Sequence, residues 1–299
     1  MSSISQIRAV LFAMDLSLSS LRAFHYASEI ARHFEATLLI TDIVLEEEKS
    51  SPEYKRVMDK FEEEIGMSSR EVAGGEIRDI RRNVVIKHTA IGSSLAAVVA
   101  QHNVDLVVLG TRGRVGIQKV TEGSKAEEIA HVVTVPVLTI GPNVSRAPEF
   151  KRLLCVTDFS PTAATAIICA VSFARRYGAS LDVLHVNDPG TGESPREAVE
   201  GMSKFVRDEI RRPGFDDVFC QEEVLFGEST ERILHLAANR NIDMIVMGLR
   251  HTSEVRARIA AHLPGGVAYN VIAKAQCAVL TVPDSAQALP NRRIIRQES

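Results

Sequence analysis

The hydrophobic positions of this chain of 299 residues fall into short blocks with two alternating periods. Residues 8–14, Arg-Ala-Val-Leu-Phe-Ala-Met, form a compact apolar run too short for a helix and closed by Asp15-Leu16-Ser17, which predicts a buried strand. Leu21, Phe24, Ala27, Ala31 and Phe34 then recur three and four apart, the spacing of one helix face. Residues 37–44, rich in Leu, Ile and Thr, predict a second strand. The polar run Glu46 to Pro52 reads as a solvated loop opening a helix with Tyr54, Val57, Met58, Phe61 and Ile65 on one face and charges toward water. A strand over 84–88, a helix over 93–102, a strand over 104–109, a helix over 124–133 and a strand over 137–140 follow. Strands alternating with helices imply right-handed crossovers and a parallel sheet covered on both faces.

The same plan then repeats. Residues 152–157 lead into Asp158-Phe159-Ser160, matching Asp15-Leu16-Ser17 at an offset of 143 residues. At that offset Ala23, Ala27, Ala31, Arg32, Ala36 and Leu38 match Ala166, Ala170, Ala174, Arg175, Ala179 and Leu181. Asn103-Val104-Asp105 corresponds to Asn241-Ile242-Asp243, Gly110 to Gly248, and Val137-Leu138-Thr139 to Val279-Leu280-Thr281. Two tandem copies of one α/β unit are expected, over 1–145 and 150–285, joined by a Gly- and Pro-containing linker over 141–148 and followed by a tail over 286–299.

Composition narrows the function classes. A formal net charge of −3, no tryptophan and only 5% aromatic residues argue against an electrostatic or stacking grip on nucleic acid, and against an anionic membrane. The N-terminus lacks the pattern of a signal peptide and no apolar run reaches membrane-spanning length, so a cytoplasmic protein is expected. Cys155, Cys169, Cys220 and Cys277 are widely spaced in apolar surroundings and read as reduced core residues. The nine histidines are scattered without carboxylate or cysteine partners at metal spacing, and no nucleophile elbow occurs. The basic tail Arg292-Arg293-Ile294-Ile295-Arg296 is short and terminal, a packing or frayed segment rather than a nucleic-acid arm.

The candidate chemistry lies in Gly110-Thr111-Arg112-Gly113, nine residues, then Gly123-Ser124. It follows a strand and opens a helix. Glycines let the backbone take positive φ and approach an anion, while helix N-terminal N–H groups favour negative charge. Ser124 caps that helix or donates to a phosphate, and Arg112, Arg114 and Lys125 add positive charge. Arg112 reads either as a phosphate contact or as a solvated loop charge, and Asp15 either as a ligand contact or as an N-cap. The spacing is neither the P-loop nor the dinucleotide fingerprint.

The Gly-x2-Gly-x9-Gly-Ser motif resembles the ATP-binding motif of the universal stress protein family, and both halves of the chain look like domains of that family. The resemblance implies two tandem Rossmann-like domains, of the adenine nucleotide alpha hydrolase type, each a five-stranded parallel sheet in the order 3-2-1-4-5. Ligands in such sheets bind at the strand carboxyl ends where the order reverses. It further implies that Ala13, Met14 and Asp15 border an adenine and that Ile43 offers it backbone groups. Leu109 and Gly110 are implied near the ribose, and Gly113, Gly123, Ser124 and Lys125 near the phosphates. In the second half His251 stands where the second glycine belongs and Gly266 replaces the serine, so that half is expected to bind nucleotide weakly or not at all. Its expected role is that of a built-in dimer partner, the final strand of each half pairing with the other, with a further homodimer open.

The resulting expectation is an adenine-nucleotide-binding stress-response protein: ATP, or AMP or ADP, with Mg²⁺ accompanying it, would order 111–122 for a protein partner to read. The same residues leave two alternatives. A slow ATPase or phosphotransferase would draw on Asp15, Ser124 and Arg112 but has no evident general base. A two-domain scaffold would hold no nucleotide.

Overall fold

A computed structural model describes residues 7–14, 18–44, 52, 55–56, 59–63, 79–86, 91–111, 129–130, 132–211, 218, 220–249 and 266–284. The described strands are β1 (Ala9–Met14), β2 (Thr37–Val44), β3 (Asp79–Ile86), β4 (Leu106–Gly110), β5 (Val137–Ile140), β6 (Arg152–Thr157), β7 (Ser180–Asn187), β8 (Cys220–Phe226), β9 (Met244–Leu249) and β10 (Ala278–Pro283). They join into one ten-stranded sheet in the order β3-β2-β1-β4-β5-β10-β9-β6-β7-β8. Each half therefore runs 3-2-1-4-5, with every pairing parallel except β5 to β10, which is antiparallel with Leu138 opposite Leu280. The named helices are α1 (Leu18–Phe34), α2 (Ile91–Gln101), α3 (Pro161–Tyr177), α4 (Pro195–Phe205), α5 (Ser229–Asn239) and α6 (Val267–Lys274).

Strand composition follows position in this sheet. All residues of β4, β5 and β10, in the middle, are buried, as expected for strands covered on both faces. β3 starts at Asp79, five residues before the apolar run that marks it in sequence. Among the described residues it is an outer strand paired only with β2, and a strand hydrogen-bonded along one side does not need a continuous apolar run. The opposite edge, β8, carries exposed Gln221 and Glu222.

Alternation along β1 divides the core. Val10, Phe12 and Met14 pack on the α1 and α3 side, where the Phe12, Phe24 and Phe61 rings lie 5.0–5.7 Å apart. Leu11 and Ala13 pack on the other side with Leu95, Val98 and Val99 of α2. The repeated Asn-x-Asp triplet has a local cause. Asn103 and Asn241 take left-handed φ values of 50° and 51°, which end α2 and α5 and turn the chain toward the next strand. Asp105 Oδ2 then accepts the N–H groups of Arg8 and Ala9 at 2.8 and 3.0 Å, and Asp243 Oδ2 those of Lys151 and Arg152, both at 2.9 Å. Each aspartate ties the start of one central strand to its neighbour.

The two halves also meet through their first long helices. The His33 ring stacks on Tyr177 at 3.9 Å, and Phe34 meets Phe173 edge-on at 5.5 Å. His33 Nε2 donates to the Arg176 carbonyl at 2.8 Å, while Arg176 Nε donates to the His33 carbonyl at 3.0 Å. Because 33 and 176 are equivalent positions of the repeat, this contact is isologous, as in a twofold dimer. All four cysteines are free; Cys155, Cys169 and Cys277 are buried, and burial pushes the thiols of Cys169 and Cys277 up to about 12. No helix among the described residues is long and apolar enough to cross a membrane.

Candidate functional site

In the first half, β1 lies between β2 and β4, so the strand order reverses beside it. The register pairs Ala13 with Leu109 on one side and with Thr41 on the other, and Met14 with Asp42. Ala13, Met14, Leu109 and Gly110 therefore meet at adjoining strand ends, and Ile43 lies one position beyond the partner of Met14. Ala13 and Leu109 share the α2 face; Met14 points to the opposite one, buried in the α1 core, so its side chain does not border the same space as Ala13. Thr111, the residue after β4, donates its N–H to the Ile140 carbonyl at 3.0 Å. Its hydroxyl is buried and has no hydrogen-bond partner among the described residues, as is also true of Thr41 and Thr139. Asp15, Arg112, Gly113, Gly123, Ser124 and Lys125 lie outside the described residues.

The second half carries a defined cavity at the equivalent place, with a volume of about 440 Å³. Its walls are the carboxyl ends of β6, β7 and β9 and the first turns of α5 and α6. Val156, Val186, Ile233 and Met247 give an apolar floor, while Thr157, Asp158, His185, Glu193 and Ser229 are polar. Gly248 matches Gly110 in the repeat, and packing accounts for it: a Cβ there would lie 2.9 Å from the backbone carbon of Thr162, where α3 begins. Here the glycine permits close helix approach.

The turn from β6 into α3 is held tightly. Phe159 has a φ of 61°, a conformation costly for a bulky residue. Its N–H donates to Thr157 Oγ1 at 2.9 Å, and the Ser160 N–H donates to Asp158 Oδ1 at 3.0 Å. The Phe159 ring stacks on His185 at 4.1 Å and presses on Gly201 of α4, where a Cβ would come within 2.7 Å of it. Ser160 then caps α3 by accepting the Ala163 N–H, with Pro161 in the first turn.

His185 is buried with both ring nitrogens engaged. Nδ1 lies 2.9 Å from the Thr157 carbonyl and Nε2 lies 2.8 Å from Glu193 Oε2. A carbonyl only accepts, so Nδ1 carries a hydrogen. Asn187 Nδ2 donates to the same Glu193 oxygen at 3.2 Å, so that oxygen is shared by the two side chains. Beside the mouth, the N–H groups of Gly190 and Ser229 hold the Asp188 carboxyl below its usual range. Among the described residues no group of three His, Cys, Asp or Glu is arranged to hold a metal ion. The pairing of His185 with Glu193 had no sequence signal beyond a histidine at a strand end, because the two come together only through the fold of 188–194.

A family model described as the universal stress protein family matches this chain twice, over residues 6–141 and 149–283. The chain belongs to the universal stress protein family. It carries two tandem copies of that domain, and the α/β sheet above is their shared framework. A universal stress protein from Archaeoglobus fulgidus DSM 4304 is similar in structure, with 19% identity, a TM-score of 0.66 and coverage of 93% of this chain and 97% of that one. A protein from Pseudomonas aeruginosa UCBPP-PA14, assigned to the same family, has 14% identity and a TM-score of 0.60 over 96% and 98% of the two chains. A protein of unknown function from Pseudomonas aeruginosa PAO1 has 14% identity and a TM-score of 0.59 over 96% and 97%. At such identities the likeness concerns the fold, and it extends over the whole tandem arrangement. No curated protein matches the chain.

Proposed function

We propose that this universal stress protein is an adenine-nucleotide-binding module. It holds ATP, or its AMP or ADP form, in the first-half crevice and serves as a nucleotide-occupied switch in a cytoplasmic stress response. The supporting observation is that the glycine motif starts at Gly110, one residue beyond the Ala13–Leu109 pair at the point where strand order reverses. The chain leaves the sheet there with the glycines at 113 and 123 available for close approach to phosphate. In this reading Ala13 and Asp15, the Met14 backbone and the Ile43 backbone border the adenine, while Leu109 and Gly110 lie by the ribose. Arg112, Gly113, Gly123, Ser124 and Lys125 receive the phosphates, with Mg²⁺ as their counter-ion. The buried Thr111 hydroxyl adds a donor to the same end. The unit over 150–285 supports the ligand-bearing unit over 1–145 from across the sheet, and a protein partner reads the occupied loop.

Acid extraction of the purified protein followed by nucleotide chromatography is expected to release about one adenine nucleotide per chain. Gly113→Val is expected to weaken ATP binding at least tenfold in calorimetry. A folded Gly113→Val protein with unchanged ATP affinity would overturn the reading.

A further inference from the structure

We propose that the second-half cavity takes a segment of this chain itself. The basic tail over 286–299 docks there, with Ile294 in the apolar slot and its flanking arginines on the carboxylates of the rim. The inference goes beyond the nucleotide reading of the first half and does not depend on it. Position, shape and charge carry it.

The tail starts in the right place. β10 runs parallel to β9, with Val282 opposite Gly248 and Pro283 opposite Leu249. Gly248 lines the cavity, so the chain leaves β10 one strand away from it and on the side where it opens. The next strand beyond β9 is β6, whose last residue, Thr157, precedes Asp158. Two strand spacings amount to about 10 Å. The eight residues from Asp284 to Arg292 span up to about 26–29 Å when extended, which is ample. Residues 285–299 lie outside the described residues, as do 250–265 between β9 and α6.

The shapes match. A volume of about 440 Å³ is enough for a whole ligand. Val156 remains partly exposed although it sits near the end of a central strand, whereas its counterpart Ala13 is buried. With Val186, Ile233 and Met247 it lines an apolar slot. The tail carries Arg292-Arg293-Ile294-Ile295-Arg296. In an extended chain side chains two apart share one side, so Ile294 stands between Arg292 and Arg296 as an apolar knob with a cation on either hand.

The charges are complementary. Asp158 lines the slot and is exposed; its Oδ1 takes the Ser160 N–H, and Oδ2 has no partner among the described residues. The strained Phe159, clamped between His185 and Gly201, fixes the turn that carries it. Asp188 and Glu228 add carboxylates at the start of α5, each accepting backbone N–H groups, with the Arg232 side chain lying by Gly227. The tail brings three arginines against one glutamate, Glu298. A guanidinium can engage a carboxylate through two parallel hydrogen bonds. A short tether supplies an effective concentration on the order of millimolar, so contacts too weak to join separate molecules hold within one chain.

The test compares the full chain with a chain ending at Ser285 and with the full-length Ile294→Asp variant, all without added nucleotide. The slot is read at the Met247 methyl with ¹³C-methyl-methionine labelling, the resonance being assigned by Met247→Leu. Both variants are expected to move that resonance to the same new position. A peptide of residues 286–299 should return the shortened chain's resonance saturably to the full-chain position. The peptide carrying Arg292→Glu and Arg296→Glu should bind at least tenfold more weakly. Asp158→Asn in the shortened chain, whose amide oxygen still accepts the Ser160 N–H, should weaken the unaltered peptide and reduce the salt dependence of its binding. A resonance that neither variant moves would overturn the proposal and leave the slot to residues 250–265 or to a separate ligand. A resonance that shifts on dilution of the full chain would place the tail in a second copy and overturn docking within one chain. Equal affinity for the two peptides would overturn it as well.

Discussion

Asp105 and Asp243 make the same pair of backbone hydrogen bonds in the two halves, but in different surroundings. Asp105 is 7% exposed, and desolvation raises its pKa against the opposing pull of the Arg8 and Ala9 N–H groups. Asp243 has a 14% exposed side chain with Arg146 3.8 Å away. Removing a buried acceptor leaves its donors unsatisfied, so Asp105→Ala is expected to cost about 3 kcal/mol in urea unfolding, and Asp243→Ala less. The pH dependence follows from the raised pKa. Between the ordinary value near 3.8 and the higher folded value, only the folded state keeps the proton. The contribution of that proton is full below 3.8 and is lost as pH rises through the folded pKa. Asp105→Asn should remove this component from a stability-versus-pH curve; an unchanged curve would contradict the assignment. The role of Asp105 was half legible beforehand. The Asn-x-Asp repeat was visible, but its partners lie 96 and 97 residues away, and only pairing β1 with β4 brings them together.

At the scale of elements, the helix starts are specified locally. Ser194 and Glu197 form a reciprocal capping box at α4, and Glu228 caps α5 by accepting the Thr230 and Glu231 N–H groups at 3.1 and 2.6 Å. Those N–H groups, that of Glu231 foremost, hold the Glu228 carboxyl below its usual range. Its contribution is therefore present above about 4.5 and is lost as pH falls through the lowered folded value. Glu228→Ala is expected to cost about 1 kcal/mol at neutral pH and nothing at a pH below the folded value. Denaturant midpoints at the two pH values measure this, and a cost independent of pH would contradict it. Such caps, and the helix faces themselves, act over three or four residues and can be read from spacing. The start of β3 could not be, because Asp79-Ile80-Arg81-Arg82-Asn83 acquires its strand character from β2.

Across the whole molecule, the sheet makes two sequence copies into one mechanical unit. Leu138 and Leu280 face each other at the antiparallel junction, both fully buried, while the His33–Arg176 contact joins the helices on one face. The chain is therefore expected to unfold in a single calorimetric transition with equal calorimetric and van't Hoff enthalpies. Leu280→Arg, which buries an unpaired charge at the junction, should separate this into two transitions. Two transitions in the unaltered protein would show that the junction does not couple the halves.

Local and periodic features can be read from the chain alone. Apolar runs and helix faces named most elements, an offset of 143 residues exposed the duplication, and the glycine motif pointed to one strand end. These features are encoded by neighbours in the chain, or by comparing the chain with itself. It took the assembled fold to show that Met14 packs on the sheet face opposite Ala13 and Leu109, that Gly248 serves helix packing, and that His185 finds Glu193 under Phe159. One cause underlies all three. Facing, close approach and side-chain pairing depend on which strands lie side by side, an order that exists only in the assembled sheet.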